Sequence, residues 1–203
     1  MILRREADRV LGVTQTAHSA LTGRLAEAWP RRADLPWDEL CSAAAIHDLG
    51  WARWELDPQL NPETGLPYAF YEMPDEPYAE IWARGTDEAR TYGRLVGLLV
   101  SRHFTRLAGR REALAELIER ERAHQADATA ALGLDAGTLD ACTELLARWD
   151  GISLDLCGGK EPDAPELAGF SAPLDARVLP DGPVVSLEVG VAGGGSGHPH
   201  ALR

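Results

Sequence analysis

Three histidines and two aspartates recur among apolar residues at helical spacing, where an ionisable group must find a partner or hold an ion. His18 shares a helix face with Leu21 and Leu25, three and seven positions on. His47 lies seven after Leu40, while Asp48 lies seven after Cys41 and four after Ala44. His103 follows Val96 by seven and Leu99 by four, and precedes Leu107 by four. Asp150 follows Leu146 by four and precedes Leu154 by four. Side chains at these intervals stack on one side of an α-helix. The five residues are therefore expected on the inward stripes of four helices, with His47 and Asp48 sharing one.

An imidazole or carboxylate facing a helical core is costly unless something satisfies it. Taken singly, each has an ordinary explanation. His103 could be a hydrogen-bonded core histidine, Asp150 a helix cap or an Arg partner, and Asp48 an acceptor for backbone amides near Gly50. Taken together, three imidazoles and two carboxylates satisfy one another best around a divalent cation, and helical bundles build such sites from facing helices. This nitrogen and oxygen set suits Mn, Fe, Zn or Ni better than Ca. Cys41, Cys142 and Cys157 are widely spaced in apolar surroundings. They are expected to be reduced core residues of a cytoplasmic protein, with no zinc-type CxxC pair among them.

The elements that must position these groups are mostly helical. The spacing predicts a helix from Thr14 to about Ala28, stopped by Trp29-Pro30. A second is expected near Trp37–Leu49, with Gly50 as its left-handed cap. Further helices are expected at about 75–84, 88–108, 111–132 and 136–156. Between the second and third lies an irregular stretch with Pro58, Pro62, Pro67 and Pro74, rich in Tyr68, Phe70 and Tyr71. A loop of that length inside a compact domain is usually functional, and its 65–78 part is expected to shape a pocket. Met1–Glu6 is a candidate edge strand, and Pro183–Val191 a strand that could pair with it. The fold class is therefore all-α: a helical bundle over 1–157 with a small β appendage from the chain ends. An irregular extension over 158–192 and a flexible Gly-rich tail over 193–203 follow.

Other residues read more plainly. Trp51 and Trp54 are expected to pack, and His124 to be partly exposed. His198 and His200 are expected to be solvated, and the Arg/Glu run at 110–122 to form an exposed face carrying ion pairs. The chain has 203 residues and a formal net charge of −12. That charge argues against binding nucleic acid or an anionic membrane surface. No apolar run reaches the ~20 residues of a membrane helix, and the opening MILRREADRV lacks the apolar stretch of a secretory signal. The expected partner is a small-molecule substrate.

His47-Asp48-Leu49-Gly50 resembles the HD-x-G signature of the HD-domain superfamily of all-helical, metal-dependent phosphohydrolases. His18 upstream and Asp150 downstream stand in that superfamily's H…HD…D order. More closely, QTAHSALTGRLAEAW, HDLGWARWE, NPETGLPYAF, LLVSRHF and WDGISLDLC resemble an uncharacterised family of bacterial proteins with a domain of unknown function. The superfamily resemblance implies an HD-like bundle with His18, His47, Asp48 and Asp150 as first-metal ligands. His103 would be a second-metal or substrate ligand, or a proton donor to the leaving oxygen. The implied activity is metal-dependent hydrolysis of a phosphoester or related small molecule through a metal-bound hydroxide. Many members carry a Lys after HD-x-G where this chain has Trp51, so Arg53 or Arg102 would have to neutralise the phosphoryl charge. The same scaffold also hosts di-iron oxygenases, which would need His124 to face inward. A third alternative is a non-catalytic, metal-stabilised binding domain.

Overall fold

A computed structural model describes residues 1–7, 9–109 and 111–160 in full, and the backbone of 174–181 and 184–191. The first two strands, β1 (Ile2–Arg5) and β2 (Val10–Val13), pair antiparallel with Ile2 opposite Val13. Thr14 then caps α1 (Gln15–Ala28), its hydroxyl accepting from the Ala17 amide at 3.1 Å. After Pro36, α2 spans Trp37–Ile46, with Asp38 and Glu39 at its positive end.

The helix stops one residue short of His47-Asp48. A 3-10 turn at Leu49–Trp51 and the short α3 (Ala52–Leu56) follow. Gly50 is not the left-handed cap its position suggests. A Cβ there would stand 2.1 Å from the Ile81 carbonyl oxygen and 2.8 Å from the Gly85 Cα, so glycine is needed for close approach to the next helix.

That helix, α4, spans Asp75–Ala89 and reaches further than its expected end near 84. The break falls instead at a 3-10 turn, Arg90–Tyr92, and at Gly93, whose φ of 138° no helix accommodates. From there α5 runs Arg94–Ala108. After a 3-10 turn at Glu112–Leu114, α6 spans Ala115–Leu132. The last helix, α7 (Ala136–Gly158), is capped by Asp135, which accepts from the Thr138 amide at 2.9 Å, and ends at Gly159 with φ 79°.

Two further strands, β3 (Leu174–Asp181) and β4 (Val184–Val191), pair antiparallel with each other. The pairing of Pro183–Val191 with Met1–Glu6 is therefore corrected. Each strand takes the partner nearest in sequence, which costs the least loop-closure entropy. β4 nevertheless runs beside β2 and α1. The molecule is thus all-α with a small β appendage. The 193–203 segment lies outside the described residues, with His198 and His200. No described helix is long and apolar enough to cross a membrane.

The core has two main parts. One joins α1, α2, α5 and α7 through Leu25, Leu40, Leu99, Leu146 and Trp149, with the Trp149 ring edge-on to both Trp29 and Trp37. The other joins Trp51, Met73, Tyr78, Trp82, Phe104 and Leu114. Trp51 and Trp54 both pack in it, as expected. Where the two parts adjoin along the chain, the polar residues appear: His47 follows Ala44, Asp48 precedes Trp51, and His103 separates Leu99 from Phe104.

Candidate metal centre

All five expected residues come together, and none is more than 6 % exposed. His18 comes from α1, His47 and Asp48 from the turn after α2, His103 from α5 and Asp150 from α7. Asp48 has φ −105° and ψ 19°, so it leaves the helical path while still facing the cluster. His18 Nε2 lies 2.9 Å from Asp150 Oδ1 and 3.7 Å from Asp48 Oδ2. His47 Nε2 lies 3.4 Å from Asp150 Oδ1 and 3.5 Å from Asp48 Oδ2, and His103 Nε2 lies 3.4 Å from Asp150 Oδ2.

The outer face of two imidazoles decides which nitrogen carries hydrogen. His47 Nδ1 is 2.9 Å from the Ala44 carbonyl, which can only accept, so Nδ1–H donates there. Ser153 Oγ donates to the His18 carbonyl at 3.0 Å and so accepts from His18 Nδ1–H at 2.8 Å. In the neutral rings both Nε2 lone pairs then point at carboxylate oxygens, a repulsive arrangement without a proton or a cation between them. His47 Nε2 and both His103 nitrogens have no hydrogen-bond partner.

The electrostatics point the same way. Burial alone would lower the His47 pKa, but Asp48 and Asp150 outweigh it and raise it to about 9. Burial alone would raise the Asp150 carboxyl, yet the imidazoles of His103, His18 and His47 hold it well below the usual carboxylate range. Two triads, His18 with His47 and Asp48, and His47 with His103 and Asp150, keep their ligand atoms within 4.8 Å of one another. Bonds of about 2.1 Å to a transition metal set neighbouring ligands roughly 3.0 to 3.4 Å apart, close to most of these separations.

Gln15, three residues before His18, donates from Nε2 to Asp48 Oδ2 at 3.2 Å. Gln15 and Ser153 were not singled out from the sequence, although each lies three positions from a singled-out residue on the same helix. The cluster opens into a cavity of about 210 Å³, with Trp51, Tyr71, Tyr78 and Arg111 among its walls. The Tyr/Phe loop thus contributes to the pocket, as expected.

Three expected roles do not fit. Arg102 is turned toward α7, bonded to Thr143 Oγ1 at 3.0 Å and Asp140 Oδ1 at 2.6 Å, and does not line the cavity. Arg53 is exposed on α3 and does not line it either. His103 lies behind the cavity and faces Asp150, which suits a ligand rather than a group touching substrate. His124 is exposed on α6 and bonded to Arg90 at 2.9 Å, so it supplies no further inward ligand.

A larger cavity of about 610 Å³ lies between α5 and α6. Arg90, Ser101, His124 and Gln125 on its walls are already bonded to protein groups. The Arg/Glu run is also only partly an exposed face: Glu121 within it is wholly buried. It accepts from Thr86 Oγ1 at 3.1 Å, Arg90 at 2.6 Å and Arg120 at 3.0 Å.

An all-α bundle enclosing a buried His/Asp cluster able to hold a metal ion is the class that fold and site define. The chain belongs to the family described as protein of unknown function DUF3891, whose family model matches residues 1–182. That range includes all five clustered residues. No curated protein and no solved structure matches the chain.

Proposed function

We propose that the protein is a metal-dependent hydrolase of the HD type, acting on a phosphoester of a small molecule. One observation carries the reading: buried imidazole nitrogens with no hydrogen-bond partner converge on two carboxylates beside a cavity. The donor set of nitrogen and oxygen atoms fits Mn, Fe, Zn or Ni. When bound, such an ion supplies Lewis acidity and a water acidified toward pKa ~7.

The chain's own residues do the rest. The Ala44 carbonyl and Ser153 hold His47 and His18 with Nε2 inward. Gln15 fixes the Asp48 carboxylate. The ring walls of Trp51 and Tyr78 keep bulk water from the reacting group, which strengthens every charge interaction there. The order His18, His47-Asp48, Asp150 supports the HD reading over an unrelated metal-binding bundle.

The test is elemental analysis of untagged protein, followed by a phosphoester screen with Mn, Fe, Ni or Zn added. Stoichiometric metal and turnover that vanishes in Asp48→Ala are expected. Turnover no higher than in Asp48→Ala would remove the hydrolase reading. Retained metal without turnover would favour a metal-stabilised binding domain.

A further inference from the structure

The cavity beside the cluster has an uneven wall. Arg111 is the one Lys or Arg side chain among the described residues lining it. Its guanidinium sits 4.4 Å from the centre of the Tyr78 ring, and Asp75 holds it from outside at 3.4 Å. Stacked and tethered, it is ordered in advance, which lowers the cost of binding an anion. Trp51 is 2 % exposed and also lines the cavity, and its indole N–H has no acceptor. The rest of the wall is the His/Asp cluster with Gln15 on one part, and aromatic or apolar side chains, among them Phe70, Trp82 and Leu154, on the other. At the mouth, Tyr71 is 61 % exposed and Leu107 is 52 % exposed, so both offer apolar surface beside the opening.

Size and charge narrow the ligand. Sites for drug-sized molecules run to roughly 300–1,000 Å³, so 210 Å³ admits one small anionic group while the remainder of the ligand rests on the mouth. A single guanidinium matches one phosphoryl group through two parallel hydrogen bonds. A polyphosphate chain would bring further charge toward the Asp48 and Asp150 carboxylates, with Arg111 as the one Lys or Arg beside it, in a protein already carrying −12.

Resting on the hydrolase reading above, we propose that Arg111 is the phosphoryl clamp and that the substrate is a small phosphate monoester of an apolar or aromatic alcohol, its body lying on Tyr71 and Leu107. Hydrolysis forms one P–O bond from water and breaks the ester P–O bond. One water proton ends on the departing alcohol oxygen and the other stays with the phosphate. The products are the free alcohol and hydrogen phosphate.

Phenyl phosphate, glycerol 3-phosphate, AMP and ATP serve as probes, in metal-loaded protein for turnover and by calorimetry in metal-free protein for binding. Phenyl phosphate should give the highest kcat/KM. R111Q should weaken phenyl phosphate roughly 10- to 100-fold in both assays, without loss of bound metal, and R111K should restore part of it. Y71A should weaken phenyl phosphate while leaving inorganic phosphate binding within about twofold, as expected for a residue touching only the alcohol part. AMP or ATP cleaved as well as phenyl phosphate, or R111Q within about twofold of wild type, would overturn the proposal while the hydrolase reading stands. If no ester is cleaved, the hydrolase reading fails. The binding arm still decides on Arg111: phenyl phosphate bound by wild type but not by R111Q supports the clamp, and equal binding removes it.

Discussion

Among the described residues, the buried polar clusters around Glu121 and around Asp150 are finished differently. Around Glu121, a carboxylate with no exposed surface is closed by hydrogen bonds from Thr86, Arg90 and Arg120. Its charge is answered within the protein, and no open position remains. Around Asp150, two carboxylates meet three imidazoles, yet the nitrogens of His47 and His103 that face them make no hydrogen bond. The first is a structural ion-pair network. The second is polar, buried and incomplete, which is the condition that a bound ion resolves. Burial of charge alone does not distinguish the two clusters; the unpaired imidazole nitrogens do.

That contrast can be broken by substitution. The largest effect is expected on metal affinity: Asp150→Asn or His18→Ala should lower it at least ~100-fold, since each removes a ligand rather than a supporting partner. Equilibrium dialysis with Zn or Mn reads this directly. Glu121→Ala should do the opposite, leaving metal binding unchanged while costing about 3 kcal/mol of stability by removing the buried acceptor of Thr86, Arg90 and Arg120. In a chain of this size that is a fall of roughly 6–12 °C in Tm, visible in thermal melts. Ser153→Ala should be milder, weakening metal binding about tenfold by freeing His18 to change tautomer, with little change in Tm.

The smallest effect is on pH dependence. Burial alone would raise the Glu121 carboxyl, but hydrogen bonds from Ser101 and Arg90, with the Arg90 charge, hold it below its ordinary 4.5. A carboxyl lowered in the folded state contributes stability in full above its unfolded value and loses it as pH falls through the folded one. The gap in Tm between wild type and Glu121→Gln should therefore be widest near neutrality and shrink below pH 4.5. Melts between those conditions check it. A gap that widened in acid would mean that the carboxylate is not the stabilising form.

The same contrast explains what the sequence made legible. His18 and Asp150 stand on stripes that also hold Leu21, Leu25 and Leu146, all wholly buried, so periodicity found them. Glu121 escaped because its neighbours Arg120 and Arg122 are exposed and the run reads as a solvated face. Periodicity also has limits at helix ends: Leu107, on the His103 stripe, is half exposed because it has reached the cavity mouth. Gly50 carried a cap signal, whereas its need comes from the backbone of α4, a contact across the fold that no local pattern encodes. Arg111 follows no helical stripe, lying between α5 and the next 3-10 turn, and only the folded chain brings it to Tyr78. Arg53 and Arg102 were expected to supply the cation that Trp51 does not. On a helix, adjacent residues face different directions, and Arg102 accordingly reaches α7 instead.

X-ray absorption spectroscopy on protein incubated with metal tests the proposed buried ion most directly. The expected spectrum shows only nitrogen and oxygen neighbours at about 2.0–2.2 Å, with imidazole scattering that diminishes in His18→Ala and no sulfur contribution. A sulfur neighbour, or a spectrum of hydrated ion indifferent to that substitution, would contradict it.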